Sequence, residues 1–316
     1  MNNKISNRNR LISIVTPLFN EENNVEILYN RISKVMKNFS YNYEHICIDN
    51  ASTDNTVKLL KNLAKKDKRL KIIVNSRNFG YIRSSYHALH QAGGDGVILL
   101  SSDLQDPPEI IGDFIKKWES GFKIVLSVKI ESEENALMFW FRSLYYKFMT
   151  NISEVPLIKN ATGAGLFDRK ILNILDDIKD PYPYFRGLLC EIGFPIATVP
   201  FKQPKRKRGV SKYNFYSLYD YAMLGMTKHS KIPLRIISMI GFVISFFSIL
   251  LSILFLFAKL FFWNSFEFGL APILIGIFFF GGLQCLFIGI LGEYVISIQT
   301  HVRNMPHVIE YERVNF

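Results

Sequence analysis

Short apolar runs and helical apolar spacings alternate through the first two-fifths of the chain. Residues 11–16 form a β-branched apolar run, which predicts a buried strand. Within residues 25–38, Val25, Leu28, Ile32 and Val35 or Met36 share one face of a helix. Residues 44–48 predict a second strand ending at Asp49-Asn50. Ser52, Thr53 and Asp54 then offer cap chemistry for a helix running through Leu63. Further strands are expected at residues 70–74, 96–100 and 122–128, with helices at 84–91 and 107–118 between them. Such alternation with short turns argues for an α/β fold, a mostly parallel sheet with helices on both faces.

The pattern then changes. Residues 137–149 are apolar and aromatic almost all round, interrupted by Arg142 and Lys147. Trp and Tyr favour the headgroup level and long cations snorkel, so a membrane-interface helix is predicted at about 134–150. A plain core helix accounts for the same composition. A second interface helix is predicted at about 213–228. Two longer runs follow, at about 236–258 and 268–292, without charged residues. Each exceeds the ~20 residues that cross a ~30 Å hydrocarbon layer as a helix. Both are expected to be transmembrane; a buried helical hairpin is the alternative.

Charge sets the orientation. The formal net charge is +11. Lys202, Lys205, Arg206, Lys207, Arg208, Lys212, Lys228, Lys231 and Arg235 gather before the first long run, and the loop at 259–267 is nearly neutral. Cations stay on the cytoplasmic side. Residues 1–234 therefore read as a cytoplasmic domain, 235–293 as two spans and 294–316 as a cytoplasmic tail. The collar suits anionic lipid headgroups, and no nucleic-acid module signature appears. Gly276, Gly281 and Gly282 offer small-residue faces through which the spans, or several protomers, can associate. Cys47, Cys190 and Cys285 lack metal-ligand spacing and imply no disulfide. The polar first ten residues and the short apolar run after them do not make a cleavable signal peptide.

The chemistry concentrates where strands end. Ser101-Ser102-Asp103-Leu104-Gln105-Asp106-Pro107-Pro108-Glu109 directly follows the fourth strand. A carboxylate at a strand's carboxyl end, before a Pro-started helix, stands where α/β sheets bind ligands. Asp103 and Gln105 offer oxygen atoms to a divalent cation, which would bridge nucleotide phosphates. Pro17-Leu18-Phe19-Asn20-Glu21-Glu22 follows the first strand, and Asp49-Asn50-Ala51-Ser52-Thr53-Asp54-Asn55-Thr56 the second. Arg77-Asn78-Phe79-Gly80 follows the third, with Arg77 suited to a diphosphate and Gly80 to close backbone approach. Each string also reads locally as a turn or a helix cap. The segments 160–169 and 205–213 are two more candidates; the second serves equally as an anchor on anionic lipid.

Taken in order, these strings resemble family 2 glycosyltransferases of the GT-A type, particularly those that charge a polyprenyl phosphate. Residues 101–109 resemble D-x-D-L-Q-D-P-P-E, with Ser101 in place of the first acid. Pro17, Asn20 and Glu21 match P-x-Y-N-E, with Phe19 for Tyr. Residues 49–56 resemble D-D-x-S-x-D-x-T, with Asn50 for the second acid, and 77–80 resemble R-N-x-G. The resemblance implies nucleotide contacts from Pro17, Phe19, Glu21, Asp49, Arg77 and Ser102. It implies Mg²⁺ or Mn²⁺ on Asp103 and Gln105, and acceptor-side contacts from Thr162, Gly163 and Ser211. Arg206 and Lys212, in a segment like R-x-x-G-x-S-K-Y, would act catalytically on phosphates. Asp168 and Arg169 also fit the acceptor-side segment, where relatives usually carry an acid near Asn160 and an Arg near Leu166.

The likeness extends over nearly the whole chain to bacterial bactoprenol glucosyltransferases and, more distantly, to dolichol-phosphate mannose synthases. It implies inverting transfer of a hexose from a nucleotide sugar, a uridine one, to undecaprenyl phosphate at the bacterial cytoplasmic membrane. The product would be a lipid-linked sugar for the cell envelope. A phosphate monoester has a second pKa near ~6, so the acceptor needs no strong general base. Two other readings stay open. Polysaccharide synthesis on a hydroxyl acceptor would want a base and more spans. A catalytically weak membrane scaffold is suggested by Ser101, Asn50 and Asn160.

Overall fold

The computed structural model describes residues 10–131, 157–158, 160–203, 215–261, 270–303 and 305–316. The interface helix expected at about 134–150 and the candidate site residues Arg206, Ser211 and Lys212 lie outside the described residues. Eight strands form one sheet: β1 Leu11–Leu18, β2 Asn42–Asp49, β3 Leu70–Asn75, β4 Gly96–Leu99, β5 Ile124–Glu131, β6 Ala161–Asp168, β7 Ile196–Lys202 and β8 Glu310–Val314. Their order is β7-β5-β6-β4-β1-β2-β3-β8. The helices are α1 Val25–Met36, α2 Thr56–Lys66, α3 Tyr81–Gln91, α4 Ile111–Glu119, α5 Arg169–Ile178, α6 Phe185–Glu191, α7 Phe215–His229, α8 Ile232–Phe261 and α9 Leu270–Arg303.

Ile12, Ile14 and Val15 of β1 are fully buried, so this strand is covered on both faces, as a parallel strand between helix layers must be. Ile12 and Ile14 join Leu28 and Ile32 of α1 and Phe114 and Trp118 of α4. Val15 joins the opposite layer with Leu89 of α3, Leu172 of α5 and Leu189 of α6. Strands β1, β2, β3 and β4 run parallel. The chain steps from β1 outward to β2 and β3, then crosses back to β4 on the other side of β1. The crevice beyond the carboxyl ends of β1 and β4 is thus the topological switch point, where open α/β sheets hold ligands.

Strand β6 is antiparallel to both β4 and β5. It starts at that crevice and ends about 20 Å away at the opposite pole. Asp168 and Arg169 therefore leave the acceptor-side segment where sequence matching put them. Asp168 caps α5 and accepts from Trp118 Nε1 at 2.7 Å and Lys123 Nζ at 2.9 Å. Arg169 Nε donates to Gly94 O at 2.9 Å.

Helices α8 and α9 hold 30 and 34 residues, about 45 and 51 Å at 1.5 Å per residue. Both outrun the apolar stretches read from sequence. Described residues of α8 are not buried, and Phe242 is 77% exposed. Among the described residues, the apolar side chains of α8 are therefore not packed into a core of this chain. Among the described residues, a Cβ at Gly276, Gly281 or Gly282 would meet nothing within 4 Å.

The expected tail is instead part of the sheet. Beyond α9 the chain returns and β8 pairs antiparallel with β3, Glu310 opposite Asn75 and Val314 opposite Ile72. Lys61 Nζ meets Glu312 at 2.6 Å, and Asn315 Nδ2 donates to Ala64 O and Leu70 O at 2.9 and 2.8 Å. Lys228, counted in the lipid-facing collar, turns inward. Its Nζ donates to both Asp180 oxygens at 2.5 and 2.6 Å, with both side chains nearly buried. Burial lowers the Lys228 pKa, and Asp180 opposes that shift.

Candidate active site

Two turns at the ends of β1 and β2 are laced together. Ser52 Oγ accepts the Asn20 N–H at 2.8 Å, and Asn20 Oδ1 accepts the Thr53 N–H at 2.8 Å. Thr56 Oγ1 accepts the Glu21 N–H at 2.8 Å, and Asp54 the Glu22 N–H at 3.2 Å. Of the residues expected to cap α2, only Asp54 reaches its first turn, accepting from Thr56 N at 2.9 Å; the N-cap is Asn55, and Ser52 and Thr53 hold the neighbouring turn instead. Register places Pro17 opposite Ile48 and Leu18 opposite the buried Asp49, so Phe19 follows one residue beyond that pair. Asp49 accepts from Ser52 N at 2.8 Å and Ser52 Oγ at 2.5 Å. Burial pushes its pKa up, and the Ser52 bonds hold it down. Glu21 accepts from Asn24 Nδ2 at 2.7 Å.

Asn50 is a hub that sequence matching treated only as a lost charge. Its Oδ1 accepts from Phe79 N at 3.0 Å, Ser84 Oγ at 2.8 Å and Asn75 Nδ2 at 3.0 Å. One buried oxygen thereby fixes the turn after β3 and the start of α3. Arg77 lies exposed at that turn, its guanidinium 4.0 Å over the Phe79 ring.

The turn after β4 carries the carboxylates. Asp103 Oδ1 accepts the Gln105 N–H at 3.1 Å, across Leu104 at φ 60°. Ser102 beneath it is buried. Gln105 Oε1 accepts from Gln203 Nε2, just past β7, at 3.2 Å. Asp106 is 3% exposed and accepts from Ser101 Oγ and Thr162 Oγ1, both at 2.9 Å. Burial pushes its pKa up, the Ser101 and Thr162 hydroxyls resist, Asp103 adds to the rise and Arg186 opposes it. An acid at 101 would stand against Asp106; Ser101 instead satisfies it. Thr162 also meets Ser127 Oγ at 2.5 Å, and its carbonyl accepts from Arg186 Nη2 at 2.7 Å.

Asn20, Ala51, Leu104 and Asn160 take positive φ of 54°, 60°, 60° and 59°. All four belong to the turns of this one edge, where backbone strain marks a built site. The structure thus gathers Asp103, Gln105, Thr162 and Gly163, with Pro17, Phe19, Glu21, Asp49 and Ser102 on the same edge. Sequence reading missed Asp106, Arg186 and Gln203 as site residues. Asp106 left a signal as an acid of the matched string 101–109, and Arg186 as a lone cation in the otherwise apolar start of α6.

No group of three His, Cys, Asp or Glu side chains gathers among the described residues. Asp103 and Gln105 nevertheless present hard oxygen donors on one turn. That set fits a cation whose other ligands come from phosphate and water.

The mixed sheet and its flanking helices are those of a GT-A glycosyltransferase fold. Residues 13–175 match the model for glycosyl transferase family 2, and the chain belongs to that family. It is 31% identical to the SfII prophage-derived bactoprenol glucosyl transferase of Shigella flexneri, over 94% of this chain and 96% of that one. It is 30% identical to the bactoprenol glucosyl transferase of Shigella phage SfV, over 96% and 99%. Mannosyl-3-phosphoglycerate synthase from Rubrobacter xylanophilus, 14% identical, shares the fold with a TM-score of 0.50 over 70% of this chain and 73% of that one.

Proposed function

We propose that this enzyme transfers a hexose, with inversion, from a uridine nucleotide sugar to undecaprenyl phosphate. The observation that carries the reading is the Asp103–Gln105 turn at the switch point, in a chain that matches bactoprenol glucosyl transferases over nearly their full length. Phe19 and Asp49 would hold the base, with Pro17, Glu21, Ser102 and Arg77 around it. Asp103 and Gln105 would hold Mg²⁺ or Mn²⁺, which when bound supplies positive charge to the leaving diphosphate. Thr162, Gly163 and Ser211 would face the acceptor, and Arg206 and Lys212 the phosphates. A lipid phosphate is largely dianionic at neutral pH, so positioning and charge stabilisation suffice.

Helices α8 and α9 would cross the bacterial cytoplasmic membrane. The return of β8 to the sheet supports an even number of crossings, with the catalytic domain and both ends cytoplasmic. Lys231 and Arg235, exposed at the start of α8, would meet anionic headgroups. A cysteine at Ser265 should then react with an impermeant thiol reagent from outside; labelling only after permeabilisation would reverse the orientation. The function is tested by incubating membranes with radiolabelled uridine sugars and undecaprenyl phosphate, then extracting lipid. Label should enter the lipid phase only with enzyme and polyprenyl phosphate present. Label appearing in polymer instead would favour a hydroxyl acceptor.

A further inference from the structure

If the acceptor is a lipid phosphate, as proposed above, a cation must meet its anion between the membrane helices and the Asp103 turn. The geometry points to Arg186 as the residue that binds the acceptor phosphate, clamped for that task by Thr162 and Gly163. Three observations carry this assignment.

Position is the first. Arg186 stands on the first turn of α6, and the next residue, Gly187, packs directly under the His229 ring at the end of α7. Helix α7 leads within a few residues into α8, so Arg186 lies where the membrane hairpin meets the catalytic edge. A polyprenyl chain held in the bilayer brings its phosphate to that junction.

Geometry is the second. Arg186 Nη2 donates to Thr162 O at 2.7 Å. Its Nη2 and Nε lie 3.7 and 3.8 Å from where a Cβ on Gly163 would stand. The guanidinium therefore runs alongside a residue without a side chain, at φ 99°. A fixed planar fork has five N–H donors, enough to hold a carbonyl and two phosphate oxygens together, which a Lys cannot copy.

Electrostatics is the third. Asp103 and Asp106 stand together at this edge and would repel an incoming phosphate dianion. The Arg186 guanidinium supplies positive charge at the same edge, held on the Thr162 carbonyl. Thr162 couples the two, since its hydroxyl donates to Asp106 while its carbonyl takes Arg186.

Full-length enzyme in nanodiscs separates the possibilities. Arg186→Gln keeps a donor for Thr162 O and removes the charge; Arg186→Lys keeps the charge and loses the fork. Binding of a short-chain, water-soluble prenyl phosphate is measured, together with UDP binding in Mn²⁺ and both Michaelis constants. Arg186→Gln should weaken prenyl-phosphate binding on the order of tenfold to a hundredfold, with Arg186→Lys between it and wild type. UDP affinity should stay within about twofold, since the donor diphosphate is held elsewhere. Parallel loss of UDP affinity would make Arg186 a donor-side residue and overturn the inference. Unchanged prenyl-phosphate binding in both variants would overturn it as well. Wild-type enzyme that binds no prenyl phosphate would instead remove the functional reading itself. Should Arg186→Gln lower the melting temperature enough to confuse the assay, the fork-only comparison in Arg186→Lys still decides.

Discussion

The two halves of the sheet meet at β4 and are built by opposite rules. On one side β1, β2 and β3 run parallel inside the antiparallel edge strand β8, and each site turn follows its own strand in sequence. Its residues come as strings: Phe19 to Glu21, Asp49 to Thr56, Arg77 to Gly80. On the β6, β5, β7 side the strands are mixed, and single residues converge from far apart. Ser127, Thr162, Arg186 and Gln203 each come from a different element. Asp106 is the seam, a motif residue whose buried carboxylate is held by Thr162 of the other half. The half proposed to hold the donor is thus a series of local turns, while the half proposed to face the acceptor is made by tertiary contact and tied to the two long apolar helices.

The largest break in the donor half is Asp103→Asn. Asparagine keeps the oxygen that accepts the Gln105 N–H, so the turn survives and only the charge goes. Turnover should fall about a thousandfold, about 4 kcal/mol of barrier. The assay is glycolipid formation at saturating Mn²⁺, with circular dichroism to confirm the fold. Near-normal turnover would put the cation elsewhere.

The joint between hairpin and catalytic domain is broken next, by Asp180→Ala. Lys228 would be left nearly buried without its two 2.5 and 2.6 Å bonds. Stranding a buried charge costs about 3 kcal/mol or more, whereas removing both partners can be close to neutral. Asp180→Ala should lower the melting temperature in detergent by several degrees, and adding Lys228→Met should recover most of it. A double variant as unstable as the single one would refute this account.

The same contrast explains what sequence could convey. Strands β1 to β4 and their turns were legible because parallel strands are apolar runs and each turn is a short local string. β8 was not: Glu310-Tyr311-Glu312-Arg313-Val314 is an edge strand with three charged residues in five, and it pairs only with the edge that β3 offers. Lys228 read as a lipid contact because its partner Asp180 is 48 residues away. Asp168 and Arg169 read as site residues because spacing in a string does not tell which end of an antiparallel strand faces the ligand.

A smaller effect should come from Gly187→Ala, which tests how closely α7 must approach α6. The added methyl would overlap the His229 ring and come within 2.7 Å of Tyr184 Cδ1. Overpacking of this kind costs about 1–3 kcal/mol. The catalytic domain should stay folded while α7 shifts, so the Michaelis constant for lipid phosphate should rise more than that for the nucleotide sugar. Equal rises would show that the strain spreads into the donor half.

The smallest effect should be Asn50→Asp, which restores the acid that family members carry. All three bonds to Asn50 end on Oδ1, and all three partners donate. An aspartate oxygen can accept each of them, so the hub linking β2, β3 and α3 should persist. The new charge would sit beside buried Asp49, whose pKa is already pushed up by burial, and would raise it further. That repulsion works against the gain from charge-assisted bonds at position 50. Opposed terms of this size should leave stability within about 1 kcal/mol and the Michaelis constant for the uridine sugar within about threefold. Asn50→Leu is the contrast: it leaves Phe79 N–H, Ser84 Oγ and Asn75 Nδ2 without their acceptor and should cost about 2 kcal/mol or more. Melting temperature and donor kinetics of the two variants, side by side, decide the point. A large gain in donor affinity for Asn50→Asp would mean that the missing acid had been a nucleotide ligand, and that the hub is secondary.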